Sequence, residues 1–175
     1  FRLNVPGVLL ELLSHQNFYD MKFAMDPRFR FSISRSVYKG ILKYVSSQNH
    51  KDYVVQPLAV DHFQSVFDTL GNVILKWRPV SDPLEPGSEP DGYRVYTRIG
   101  ENGFDNGVIV SEPEMILSDL YPGLIYSFKV TALNDGGESF PSEILSVCMM
   151  DTLSNPVLIV NGFDRICGPA SFEFE

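Results

Sequence analysis

The feature that most constrains the fold is a series of short apolar alternations between about residues 54 and 151. They occur in NVILKWRPV, GYRVYTRIG, LIYSFKVTAL and SEILSVCMM, and turn-forming stretches such as SDPLEPGSEPDG and NDGGES separate them. The helical period is missing from this region. About seven such strands in about a hundred residues predict an all-β sandwich built from two sheets.

A different pattern precedes the sandwich. Its first part is an apolar run that predicts a strand covered on both faces, formed by Val8, Leu9, Leu10, Leu12 and Leu13. Asp26-Pro27 then predicts the start of a helix, and its apolar face recurs every four residues at Ile33, Val37, Ile41 and Val45. One strand and one amphipathic helix cannot enclose a core, so residues 1–49 are interpreted as the end of a larger α/β domain.

The chain is therefore predicted to have a mixed fold in three parts. Residues 1–49 supply the C-terminal strand and helix of an α/β domain, and residues 50–153 form the β-sandwich. Residues 154–175, which begin NPVLIVNGFDR, are predicted to contain the first strand of a further α/β module.

Charge and composition exclude two classes of partner. The formal net charge is −8 and the sequence pI is about 4.8, which argues against an electrostatic nucleic-acid surface. The apolar runs are too short for a transmembrane segment. Two cysteines, Cys148 and Cys167, leave two alternatives open: one disulfide, or free buried thiols, which are the commoner state for lone cysteines.

Glu11 lies in the middle of the first apolar run. An ionised carboxylate away from water is costly unless it is paired, hydrogen-bonded or close to a metal. One interpretation is a salt bridge to an upstream Arg or Lys, and the other is a catalytic carboxylate.

The segment around Glu11 resembles the C-terminal end of zinc-dependent N-acetylmuramoyl-L-alanine amidases. The matching residues are Val5, Pro6, Val8, Leu9, Glu11, Asn17, Asp26, Pro27, Gly40, Ile41, Leu42 and Tyr44. The resemblance implies that Glu11 is the catalytic carboxylate beside zinc, where it exchanges protons with the attacking water and the leaving amine. It also implies that the zinc ligands, two His and a Glu, lie upstream of this chain, so no cofactor is expected on these residues themselves.

The three histidines do not replace those ligands. His50 is placed in the linker and His62 in the first sandwich strand, and neither has ligand spacing. His15 follows the apolar run closely, and an ordinary histidine at a loop edge is the favoured interpretation over a residue facing the site. No metal ligand is therefore assigned.

The β region resembles a fibronectin type III (Ig-like) module. The residues that carry the resemblance are Trp77, Tyr93, Tyr96, Leu120, Pro122, Gly123, Tyr126, Val130, Ala132, Asn134, Gly137, Ser139 and Ser142. Tyr126 fits the corner at which a Tyr hydroxyl bonds back to the backbone. Trp77, Tyr126 and Phe128 are interpreted as core residues. Tyr93 and Tyr96 fall on opposite faces of one strand, so at least one is expected to be exposed, and the insert Ser81–Asp91 is expected to be a solvated loop.

The final segment, VLIVNGFDR, resembles the start of the module that follows amidase and fibronectin pieces in secreted Bacteroidetes proteins, some of them xanthan-lyase-like. This would place Asp164 and Arg165 at the carboxyl end of a first strand, where α/β proteins bind ligands.

Three functions follow as expectations. The resemblances imply an exported cell-wall hydrolase, whether periplasmic, outer-membrane-associated or extracellular, with the sandwich as spacer. The alternatives are a non-catalytic accessory or scaffold subunit and a polysaccharide-active protein. The expected partners are peptidoglycan, surface polysaccharide or other cell-surface protein subunits. Whether the chain is itself an enzyme is left open.

Overall fold

The computed structural model describes residues 6–150. Residues 6–45 and residues 46–150 belong to separate compact units. The predictions made for residues 154–175 fall outside the described residues, as does the question of a disulfide to Cys167.

Two helices precede the strands, α1 (Phe18–Met25) and α2 (Pro27–Gln48). Asn17 caps α1, because its side-chain oxygen accepts a hydrogen bond from Tyr19 N at 3.0 Å. The Asp26 carboxylate accepts from Arg28 N at 2.8 Å and from the Arg28 guanidinium, at the start of α2. Helix α2 thus begins at the predicted Asp-Pro pair, whereas α1 was not predicted.

The apolar run before α1 is not a strand, which corrects the expectation for this segment. Residues 6–14 have no regular secondary structure, and Val8 and Leu9 are 92% and 83% exposed. A strand is stable only when a neighbour accepts and donates its backbone hydrogen bonds, and none of the described strands pairs with this segment. The apolar face of α2 is also only partly covered, since Ile41 is 60% exposed.

The strands after α2 form a two-sheet antiparallel sandwich, as predicted. Its strands are β1 (Asp61–Phe67), β2 (Val73–Arg78), β3 (Gly92–Ile99), β4 (Val108–Val110), β5 (Glu114–Leu117), β6 (Ile125–Asn134), β7 (Gly137–Glu138) and β8 (Leu145–Cys148). One sheet has the order β1-β2-β5. In the other, β4, β3 and β6 are neighbours, and β7 and β8 pair with opposite ends of β6.

The core lies between the sheets. Alternate residues of β2 and β6 point inward, as the twofold period of a strand requires. The Trp77 ring packs between Phe63 and Tyr93, at centroid distances of 6.4 and 5.3 Å. Phe128 is fully buried. Burying each such side chain stabilises the fold by about 1.5–3 kcal/mol.

Tyr126 ties the chain segment before β6 to that strand. Its hydroxyl oxygen accepts a hydrogen bond from Tyr121 N at 3.1 Å, and its ring is buried beside Leu120 in the same core cluster. This is the predicted corner.

The acidic insert between β2 and β3 is more ordered than a solvated loop. Residues Pro86–Ser88 form a 3-10 turn, and Asp82 and Ser88 are 6% and 2% exposed. Ser88 Oγ donates to Glu85 O at 2.9 Å. These local hydrogen bonds let polar side chains be buried at low cost.

Candidate interaction surface

The outer face of β3 and β6 carries a set of paired polar and aromatic side chains. Because alternate residues share a face, Arg94, Tyr96 and Arg98 of β3 point away from the core. They lie opposite β6 residues in the register Arg94↔Thr131, Tyr96↔Lys129 and Arg98↔Ser127. We call these six residues, together with Phe104 and Glu138, the polar ladder.

Glu138 is the hydrogen-bonding centre of one end of the ladder. Its carboxylate accepts hydrogen bonds from the Tyr96 hydroxyl, from Thr131 Oγ1 at 2.7 Å and from Arg94 Nη1 at 3.2 Å. A charge-assisted network of this kind fixes side chains that would otherwise be mobile on a sheet surface. The two-residue strand β7 positions Glu138 there by pairing with the end of β6.

The network shifts two pKa values. Burial acts to raise the pKa of Glu138, but hydrogen bonds from Tyr96 and Thr131 and the charges of Arg94 and Lys129 outweigh it, so this pKa is lowered. The pKa of Arg94 is raised, through its interaction with Tyr96 and then through the charge of Glu138. Both shifts favour the ion pair.

Phe104 lies between two cations at the other end of the ladder. The Arg98 guanidinium carbon is 5.1 Å, and the Lys129 Nζ 4.7 Å, from the Phe104 ring centroid. Lys129 Nζ is also 4.8 Å from the Tyr96 ring centroid. These distances are those of cation–π contacts. Among the described residues, neither Arg98 nor Lys129 forms a salt bridge with a carboxylate.

The loop between β3 and β4 holds Phe104 in place. Asp105 Oδ1 accepts hydrogen bonds from Thr97 N and Gly107 N, both at 2.9 Å. Gly107 has a φ of +74°, and a Cβ there would lie 2.5 Å from Arg94 Cγ. A residue without a side chain is therefore required where the loop returns against the ladder.

A match to a known family accounts for this architecture. The family model of the fibronectin type III domain matches residues 59–147, which is more than half of the chain. The chain belongs to the fibronectin type III family. The two-sheet sandwich, the buried Trp77 and the Tyr126 corner are the features of this family that the sequence predicted.

Solved structures show similarity over part of the chain. The twitchin kinase region from C. elegans is 23% identical, with 55% of this chain and 17% of that chain covered and a TM-score of 0.45. A myokine structure is 15% identical, covering 55% of this chain and 100% of that one, with a TM-score of 0.46. The FN1–FN3 domains of chicken CNTN1 are 17% identical, covering 58% and 34%, with a TM-score of 0.48. The matched part thus spans much less than two thirds of the twitchin and CNTN1 chains.

Glu11 and the three histidines lie on different segments of the chain. Glu11 and His15 lie in the exposed segment before α1, His50 follows α2, and His62 lies in β1 of the fibronectin type III domain. Within residues 6–150, no group of three or more His, Cys, Asp or Glu side chains is arranged to hold a metal ion. The described residues therefore do not fit a zinc site.

The aromatic residues of the fibronectin type III domain lie where the sequence placed them. Trp77, Tyr126 and Phe128 are buried in the core. Tyr93 is buried, and Tyr96 is partly exposed on the outer face, in agreement with their opposite faces. Burial raises the pKa of Tyr93, and the charges of Glu89 and Glu112 raise it further.

Sequence reasoning did not find the other members of the ladder. Glu138 lies in the two-residue strand β7 and Phe104 lies in a loop, and Lys129 is 25 residues from Phe104 in the sequence. The sequence signal for these partners was the alternation of Arg94, Tyr96 and Arg98 along one strand. Charged side chains on one face of a central strand indicate that neighbouring strands supply interaction partners.

A groove lies on the opposite sheet. It is an open groove of about 430 Å³, lined by His62, Gln64, Lys76, Trp77, Arg78, Glu112, Pro113 and Glu114. Lys76 and Glu114 form a 3.3 Å ion pair across it. Strand β1 changes register between Asp61 and Gln64, and His62 there has a φ of +50°. The bulge gives this rim of the sandwich an irregular shape.

Proposed function

We propose that the fibronectin type III domain acts as a rigid spacer and interaction module of an exported bacterial cell-wall protein. The observation that carries this proposal is the polar ladder, in which partly exposed cations and rings are held in fixed positions on the outer face of β3 and β6. Such preorganised groups lower the entropic cost of binding. The proposed binding partners of the domain are peptidoglycan, surface polysaccharide or another cell-surface protein.

The proposal extends to the segment before the sandwich, as the end of an amidase-like domain. Its support is the resemblance of residues 5–44 together with helix α2, which begins at Pro27, where the resemblance places the last helix. Glu11 is proposed as the catalytic carboxylate of the whole enzyme. Because the described residues do not fit a zinc site, no catalytic step is assigned to them.

The experiment uses the intact protein with purified cell-wall sacculi, and it separates binding from hydrolysis. Co-sedimentation measures binding, and released muropeptides measure amide hydrolysis. We expect binding by both the unsubstituted (parent) protein and the Glu11→Gln variant, and peptide release only by the parent protein. Glu143→Gln is the matched control, because Glu143 is an exposed carboxylate of the sandwich. Absence of sedimentation would contradict the binding of this protein to the cell wall.

The non-catalytic scaffold is the second candidate, and the exposure of Glu11 favours it. A carboxylate surrounded by solvent is not held in a defined catalytic position. Sedimentation with no peptide release from zinc-loaded parent protein would support the scaffold and reject the amidase. A polysaccharide-active protein is the third candidate; saturable binding of neutral oligosaccharides, measured by calorimetry, is its test.

A further inference from the structure

Two Asn-Gly pairs lie in the loop between β3 and β4, and their backbones have different environments. They are Asn102-Gly103 and Asn106-Gly107. An Asn followed by Gly is the sequence most open to spontaneous deamidation, because glycine has no Cβ to shield its own backbone nitrogen from the preceding side chain. Both asparagines are exposed. Sequence alone therefore predicts the same reaction at both pairs.

We propose that this loop is a site of spontaneous modification in which Asn102 deamidates and Asn106 is protected. In the reaction, Gly103 N bonds to the side-chain carbonyl carbon of Asn102, the carbon–nitrogen bond of the carboxamide breaks, and ammonia leaves with the proton of the backbone nitrogen. Water then opens the cyclic imide at either carbonyl, which gives aspartate or isoaspartate. Water is the only co-reactant.

The nitrogen of Gly103 is available for this reaction. Within the described part of the chain it donates no hydrogen bond, and a Cβ built on Gly103 would meet no atom within 4 Å. The surrounding space lets the loop adopt the geometry in which the nitrogen approaches the side-chain carbon.

The nitrogen of Gly107 is held. It donates a 2.9 Å hydrogen bond to Asp105 Oδ1, and the same oxygen accepts from Thr97 N on β3. Gly107 also packs against the side chains of Arg94 and Tyr96. The reaction at Asn106 therefore requires local opening of the loop first. A tenfold difference in rate needs an opening free energy of only about 1.4 kcal/mol.

The modification would change the surface that the loop belongs to. A carboxylate at position 102 adds a negative charge, and isoaspartate lengthens the main chain, two residues before Phe104. That ring contacts Arg98 and Lys129, which have no carboxylate partner of their own among the described residues. The loop that carries Phe104 of the polar ladder thereby acquires a charge that depends on the age of the protein. The reaction itself does not depend on the proposed function.

The test is peptide mapping by mass spectrometry of the full chain, after incubation in mildly alkaline buffer at physiological temperature. We expect the mass gain of an NH₂-to-OH exchange at position 102 to appear at least about ten times faster than at position 106, the ratio that modest local protection gives. In urea-unfolded chain the two rates should agree within about threefold, since the loop hydrogen bonds are then lost.

Two variants test the cause. Gly103→Ala should slow the reaction at Asn102 without unfolding the domain, because its added Cβ meets open space. Asp105→Ala should raise the rate at Asn106 towards that of Asn102, by freeing Gly107 N. Equal rates at both positions in the native parent protein, or a faster rate at Asn106, would overturn the proposal even if Asp105→Ala fails to fold.

Discussion

At the scale of the residue, the sandwich depends on a few positions that only one residue type can fill. Each position needs either a particular hydrogen bond or the absence of a side chain. Tyr126 and Gly107 are two of them. Tyr126 joins buried aromatic area to a hydrogen bond with the backbone. Gly107 combines a left-handed φ with a close approach to Arg94. A substitution at each position is therefore expected to lower the stability of the domain, and each has a matched control.

Replacing Tyr126 by Phe should lower the free energy of unfolding by about 0.5–1.5 kcal/mol, the usual contribution of one hydrogen bond. The change leaves the ring in the core but removes the acceptor of Tyr121 N. Tyr121→Phe is the control, because residue 121 is 72% exposed and its backbone amide is retained. Urea denaturation followed by Trp77 fluorescence measures both. Equal stability of the two variants would show that the corner hydrogen bond contributes nothing.

Gly107→Ala should destabilise the domain by about 1–2 kcal/mol, the cost of the left-handed region for a residue with a Cβ. The added methyl group also displaces the Arg94 side chain from its position beside Glu138. Gly103→Ala, with open space and no positive φ, should leave the unfolding midpoint unchanged. Thermal unfolding followed by circular dichroism compares them, and a larger loss for Gly103→Ala would contradict the assignment.

At the scale of the element, β7 is the shortest described strand of the domain, and it positions Glu138, whose carboxylate accepts three side-chain hydrogen bonds. Glu138 accepts hydrogen bonds from residues of both β3 and β6, so a two-residue pairing at the end of β6 joins three strands. The helices show the opposite case. Helix α2 is capped and regular, yet Ser46 is the only one of its residues that is buried, because local signals form a helix without forming a core.

The lowered pKa of Glu138 predicts a pH-dependent contribution to stability. Because the folded-state pKa lies below the ordinary value of 4.5, the contribution is fully present above that value and is lost as the pH falls through the folded pKa. The parent protein should therefore unfold at a higher temperature than Glu138→Gln at neutral pH, and the difference should shrink in acid. Glu143→Gln should match the parent at neutral pH. A difference between the parent protein and Glu138→Gln that is independent of pH would reject the ionic mechanism.

At the scale of the whole molecule, the sandwich contains its own complete core. The thirteen residues of the core cluster all lie between Val60 and Val147. The described charges are unevenly placed, since three of the five Lys and Arg residues in the matched region 59–147 belong to the polar ladder. Neither helix of the described residues has the length and apolar content that a membrane span requires.

Residues 46–158, expressed alone, should fold cooperatively with an unfolding free energy within about 1 kcal/mol of that of the sandwich in the full chain, since domains with their own core fold as units. Residues 1–45 alone should show no cooperative transition, because the described part of this segment leaves most of its apolar side chains exposed. Denaturation curves of both fragments measure this. Loss of the transition in residues 46–158 would show that the sandwich needs the segments outside it.

The sequence by itself determined the features that depend on local pattern. Alternating apolar residues and turn signals were enough for the strands and the sandwich, because side chains of period two have one face to bury. The Asp-Pro pair was enough for the start of α2, since capping is a local interaction. The positions of Trp77 and Tyr126 followed from the same alternation together with the family resemblance.

Tertiary structure alone decided the rest. The apolar run at Val8–Leu13 has the composition of a buried strand, but a strand exists only where a neighbour satisfies its backbone, and no local pattern encodes that neighbour. Lys129 and Phe104 meet across 25 residues of chain, and Glu138 reaches Arg94 across 44. Such contacts depend on the register of β3, β6 and β7, which the folded core fixes as a whole. The same register holds Gly107 N and leaves Gly103 N free, although the two Asn-Gly pairs are identical in sequence.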